Sequence, residues 1–156
     1  MKEKTIVRAG EGGGIGAAAA NRFSDKRRKA VVQSTAKIYE IEVKREWNYV
    51  SLSLTGALDI STARTCRDKL NEVLLAYKRN RVFVDIKRLS AKLSVIEDYE
   101  LTKELRYALP SGVSIALVVP LQWTIDGEFI ERIAIKNGVR LRSFSEKADA
   151  LAWLKN

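Results

Sequence analysis

Residues 50–63 read Val-Ser-Leu-Ser-Leu-Thr-Gly-Ala-Leu-Asp-Ile-Ser-Thr-Ala, and this stretch constrains the fold more than any other part of the chain. Strict alternation places Val50, Leu52 and Leu54 on one face of a strand. Gly56 supplies the conformational freedom for a turn. Asp59 or Ser61 then offers a side-chain oxygen to the free backbone N–H groups of a following helix. A strand that turns directly into a helix calls for an α/β architecture, in which the helix folds back over the sheet.

The pattern on either side extends this reading. Ile38, Glu40 and Glu42 alternate with Tyr39, Ile41 and Val43 as a first strand, and a turn at 45–48 leads into the strand 49–55, giving a hairpin. A helix over 61–77 carries an apolar stripe of Ala63, Cys66, Leu70, Val73, Leu74 and Tyr77. Residues 82–86 form a short apolar strand. A second helix over 95–109 points Ile96, Tyr99, Leu101, Leu105 and Leu109 inward, and Pro110 and Gly112 end it. Residues 114–119 are apolar enough for a strand buried on both faces. A third helix over 125–136 groups Ile125, Phe129, Ile130, Ile133 and Ala134, and Asn137-Gly138 stops it. The last strand, 139–144, alternates Val139, Leu141 and Ser143 against Arg140, Arg142 and Phe144. Ser145 then caps a closing helix that carries Ala148, Leu151 and Leu154, with Trp153 beside them. The expected fold is α/β: a mixed, mostly parallel sheet led by an antiparallel hairpin, with alternating helices.

Residues 1–36 differ in kind. They hold the Gly-rich run 10–16, four alanines at 17–20 and the cluster Lys26-Arg27-Arg28-Lys29. Eight basic and three acidic residues give this segment +5 of the formal +9, and the 20 basic and 16 acidic residues that follow give +4. With few large apolar side chains it reads as a flexible extension before a domain at 37–156.

Composition removes whole classes of chemistry. There is no histidine, so Ser-His-Asp and Cys-His catalysis and every His-containing metal site are excluded. Cys66 is the single cysteine, read as a small core residue in a reducing cytoplasm. No apolar run reaches the ~20 residues of a membrane span, and the N-terminus lacks the apolar core of a secretory signal. Nothing in the sequence calls for a cofactor or a metal.

Over residues 39–155 the chain resembles the STAS domain in its SpoIIAA-like branch, the fold of the anti-sigma-factor antagonists. Gly56-Ala57-Leu58-Asp59 is similar to the family's Gly-Glu-Leu-Asp turn, with Ala57 replacing Glu. Arg81-Val82-Phe83-Val84-Asp85-Ile86 resembles the strand that follows the first helix. The ending Phe144, Ala148 and Ala150-Leu151-Ala152-Trp153-Leu154 resembles the family's closing helix. The resemblance implies a non-enzymatic regulatory module that works by protein–protein contact, with a protein partner or a second copy of itself.

The family's functional loop reads Asp-Ser-Ser-Gly, and its first Ser is a phosphoacceptor. Here the matching stretch is Leu93-Ser94-Val95-Ile96. Ser94 therefore stands as phosphoacceptor or as plain helix cap, the latter supported by Glu97 three residues on. The sequence favours the cap. Asp59, Ser61, Lys87, Arg88, Lys92 and Trp123 are the candidate partner-binding positions around it. Asp85, Glu97 and Asp98 are assigned to loop hydrogen bonding and the helix dipole rather than to acid–base chemistry.

Two other readings compete. Gly10-Glu11-Gly12-Gly13-Gly14-Ile15-Gly16 fits the phosphate-binding turn of short-chain dehydrogenases, with a strand at 5–7 before it. The chain has too little room for the rest of such a fold, and a dinucleotide-binding remnant is the weakest reading. Lys26–Lys29 suits phosphate contact in a basic-tailed nucleic-acid-associated protein, but the sequence of the body displays no aromatic–basic stripe for stacking bases.

Overall fold

In the computed structural model, the described residues are 6–9 and 38–156. The Gly-rich turn, the alanine run and the Lys26–Lys29 cluster lie outside them. Six strands form one sheet in the order β1-β2-β3-β4-β5-β6. They are β1 (Ile6–Ala9), β2 (Ile38–Lys44), β3 (Tyr49–Ala57), β4 (Arg81–Ala91), β5 (Ser114–Val118) and β6 (Arg140–Phe144). The helices are α1 (Ile60–Tyr77), α2 (Val95–Ala108), α3 (Thr124–Lys136) and α4 (Lys147–Lys155). β1, β2 and β3 run antiparallel to one another, and β3 to β6 are parallel. The hairpin is thus the second half of a three-strand meander, since Ile6–Ala9 adds an edge strand to β2.

Period-two alternation divides the side chains between two cores. Tyr39, Ile41, Val43, Val50, Leu52, Leu54, Val82, Ile115, Leu117 and Leu141 face α1, α2 and α3. From the helices, Cys66, Leu70, Val73 and Leu74 of α1 and Ala134 of α3 meet them. The opposite face carries Tyr49, Phe83, Ala116 and Val118 against Ala150 and Leu154 of α4. β5 is buried on both sides, as its unbroken apolar run requires. Burial pushes the Cys66 thiol up to about 12, so it stays a protonated core group.

Several elements depart from the sequence expectation, each for a local reason. β4 runs on to Ala91, well past residue 86, because Arg88 and Leu89 pair with Thr55 and Gly56 beyond a register shift in β3. Asp85 therefore lies mid-strand, its Oδ1 accepting the Lys87 N–H at 2.9 Å. α2 is rotated relative to the expected stripe: Asp98 and Thr102 are buried and Ile96 and Tyr99 face solvent, while Leu105 and Leu109 keep their expected inward places. Ile125 and Tyr77 are also exposed, and Ala148 gives its inward place to Ala150. Glu146, rather than Ser145, is the N-cap of α4, and it makes no side-chain cap bond.

Candidate functional site

The carboxyl ends of β3, β4 and β5 all lead into helices at one end of the sheet, where open α/β folds bind their ligands. Each junction is built from its own sequence. At the first, Gly56 has φ 88°, which relieves the turn of a side chain. Asp59 caps α1, its Oδ1 accepting the Thr62 N–H at 2.8 Å. Ser61 sits in the first turn, with its carbonyl accepting the Thr65 hydroxyl at 3.1 Å.

At the second junction Ser94 is the N-cap of α2. Its Oγ accepts the Glu97 N–H at 3.1 Å, and Glu97 Oε1 accepts the Ser94 N–H at 3.1 Å, a reciprocal capping box. Ser94 itself is exposed. Lys92, just before it, turns inward. Its Nζ donates to the Leu93 carbonyl at 2.6 Å and to Asp98 Oδ2 at 3.2 Å, and lies 3.5 Å from Asp126 Oδ1. One cation thereby ties the start of α2 to the start of α3. Asp98 is only 6% exposed. Desolvation raises its pKa, opposed by the nearby Lys92 charge, while Asp126 and Glu97 push it further up.

The third junction is a single 3-10 turn, Leu121–Trp123, opened by Pro120. Trp123 packs against the main core and anchors the turn from below. Lys87 and Arg88 stand exposed on the last stretch of β4, and no hydrogen bond or ion pair links them to Ser94 among the described residues. Element placement puts Ser94, Lys92, Asp59 and Trp123 at the junctions of this rim, while Lys87 and Arg88 lie within β4, Arg88 paired with Thr55 just before the first junction.

Sequence reasoning missed the chemistry that dominates this rim. Ile96 is 69% exposed, Leu121 76% and Ile125 77%, with Val95 and Tyr99 also exposed. These residues flank the Lys92–Asp98–Asp126 cluster on the first turns of α2 and α3 and the turn before α3. Ile96, Tyr99 and Ile125 read as core because they are apolar, and the sequence pattern assigns Val95 and Leu121 no role. The signal that would have placed them outside is Asp98, since a buried carboxylate paired with Lys92 fixes the phase of α2 and turns Ile96 away. Contiguous exposed apolar residues of this kind mark interaction surfaces. Among the described residues, no group of three or more His, Cys, Asp or Glu side chains is arranged to hold a metal, and no helix is long and apolar enough to cross a membrane.

No family model matches the chain. An FBD-associated F-box protein of Arabidopsis thaliana is 32% identical over 101 residues, 58% of this chain, and the chain spans 23% of that protein's length. Among solved structures, an uncharacterized DUF3478-family protein with a SpoIIAA-like fold from Shewanella loihica gives a TM-score of 0.49 at 22% identity, covering 80% of this chain and 99% of that one. An anti-sigma factor antagonist from Mycobacterium paratuberculosis gives 0.53 at 12% identity, covering 76% and 95%. The mixed sheet with three helices on one face and one on the other has the STAS fold, that of the anti-sigma factor antagonists.

Proposed function

We propose that this chain is a non-enzymatic STAS-like regulatory module that docks a protein partner at the rim formed by α2, α3 and the turn before α3. The carrying observation is the exposure of Ile96, Leu121 and Ile125 around an ionic cluster whose centre, Asp98, is buried. Large apolar side chains left in water at two neighbouring strand-to-helix junctions favour a partner that buries them. The anti-sigma factor antagonist is a structural neighbour whose name implies a protein partner, which supports the same class of role.

On this reading Ser94 holds the rim in shape, and binding is constitutive. Its hydroxyl is engaged in the capping box, and Lys92, two residues before it, is already held by two carboxylates. A phosphate on Ser94 would meet the favourable end of α2 but would compete with those carboxylates for Lys92.

Site-specific photo-crosslinking tests the proposal. With a photoreactive side chain at Ile96 in the native host, one protein is expected to crosslink in high yield. The same group at Glu72, on the exposed side of α1, is expected to give none. Equal, diffuse crosslinking at both positions would remove the case for this rim. A stoichiometric phosphate on Ser94 in the native protein would replace the constitutive reading with a switched one.

A further inference from the structure

The face opposite α1, α2 and α3 carries cations laid over aromatic rings. The Arg140 guanidinium sits 4.1 Å from the centre of the Trp153 ring, Trp153 lies 5.8 Å from Phe144, and the Arg142 guanidinium lies 5.5 Å from Phe144. A second ladder runs up the other side of α4. Lys155 lies 4.3 Å from the Trp47 ring, and Trp47 stacks on Tyr49 at 6.2 Å. Tyr49 meets Phe83 edge-on at 6.3 Å, and Lys147 lies 5.9 Å from Phe83. The cation–aromatic stripe that the body's sequence did not display is thus assembled by the fold, from β6, α4 and the β2–β3 turn.

Three features go beyond side chains resting on a surface. None of Arg140, Arg142, Lys147 and Lys155 is held by a carboxylate among the described residues, although Glu146 caps α4 and Asp149 lies in its first turn. Arg140 is oriented, because its Nη1 donates to Ser114 Oγ at 2.9 Å. Trp47 is 42% exposed and held at φ 67°, a left-handed conformation that a bulky residue adopts at a cost. Its carbonyl accepts the Arg81 guanidinium at 3.2 Å, so the strained turn is fixed in place.

We infer that the α4–β6 face is a binding site for single-stranded nucleic acid. A guanidinium over a ring, as Arg140 lies over Trp153, leaves its N–H groups to a phosphate and the neighbouring aromatic surface to a base. Unpaired cations beside the exposed Trp47 and the half-buried Phe144 and Trp153 meet the two needs of a single strand, backbone neutralisation and base stacking, while Tyr49 and Phe83 are buried and only back these rings. A duplex keeps its bases stacked inside and leaves the rings unused. An acidic protein segment matches the charge but supplies no planar partner. This site is remote in sequence from the rim that docks a protein and does not depend on that proposal.

The test uses the full chain and a fluorescein-labelled oligouridine, with affinity measured across a salt series. The wild type is expected to bind, with quenching of its tryptophan fluorescence. R140A/R142A is expected to weaken binding about tenfold and to reduce the slope of log affinity against log salt by about 1.4. R140K/R142K, which keeps the charge and loses the plane, is expected to hold the slope and still bind several-fold more weakly. Thermal melts of both variants should match the wild type, since both arginines are exposed. Wild-type affinity in R140A/R142A overturns the inference, as does the absence of binding at low salt. So does loss of all binding in K26A/R27A/R28A/K29A, which would place the site in the N-terminal segment. If poly-glutamate displaces the labelled strand as well as unlabelled oligouridine does, the face is an acidic-protein site instead.

Discussion

Lys92 serves two carboxylates with one ammonium, and the buried one, Asp98, depends on it most. Because burial raises the Asp98 pKa, the native state holds that proton more tightly than the unfolded chain does. Its contribution to stability is therefore present at acid pH and is lost as the pH rises through the native titration. Lys92→Met should deepen that loss, because desolvation and Asp126 would then act on Asp98 unopposed. Urea midpoints should show Lys92→Met costing about 1–3 kcal/mol near neutral pH and less in acid. A deficit that does not change with pH would mean that Lys92 acts through packing alone. Ser94 belongs to the same corner. Ser94→Ala should cost about 1 kcal/mol through the lost capping box, while Ser94→Asp should unfold within a few tenths of the wild type, as a carboxylate also caps and suits the helix dipole. Denaturant melts of the two variants decide it.

At the scale of elements, α1 and α2 are joined by one glutamate. Glu104 accepts Arg64 at 2.8 Å and Arg67 at 2.6 Å, and these donors hold its carboxyl below the usual carboxylate range. A lowered native pKa stabilises the fold above the ordinary carboxylate range, and that stability is lost as the pH falls through the native value. Glu104→Gln should remove this acid-side slope while changing stability at neutral pH by less than about 1 kcal/mol, since Glu104 and Arg64 are still 38% and 39% exposed and solvent screens them. A pH profile of melting temperature checks both. α3 and β6 meet at Gly127, where an added Cβ would stand 3.1 Å from the Ser143 Cβ. Gly127→Leu should therefore cost about 1–3 kcal/mol by overpacking, although leucine is the better helix former. This is the scale at which the sequence was most legible. Alternation in 49–55, the all-apolar run at 114–119 and the Asn137-Gly138 stop each encode an element locally. The phase of α2 was not legible, because Ile96 and Tyr99 look like core until the partner of Asp98 is known. The reach of β4 was hidden too, because Lys87 and Arg88 stay in strand only through pairing with β3.

The whole molecule presents two unlike surfaces on one sheet: an apolar rim at the strand ends beside α2 and α3, and a cationic, aromatic face around α4. Both cores lie within residues 39–154. Among the described residues, removing 1–36 takes away the edge pairing of β1 with β2, and the melting temperature is expected to fall by no more than about 5 °C. A larger fall would show that this segment packs on the body. The candidate rim was half visible beforehand. Ser94 and Asp59 could be read as caps from spacing, but exposure of Leu121 and Ile125 follows from how three junctions converge in space, which no local pattern carries. The central claim is that these apolar side chains bind a protein. It is tested most directly by the affinity of the crosslinked partner for wild type and for Ile96→Asp/Ile125→Asp, with melting temperatures measured alongside. The account predicts at least a hundredfold weaker binding, the loss of about 3 kcal/mol of contact energy, with the melt unchanged. An affinity equal to wild type would contradict it.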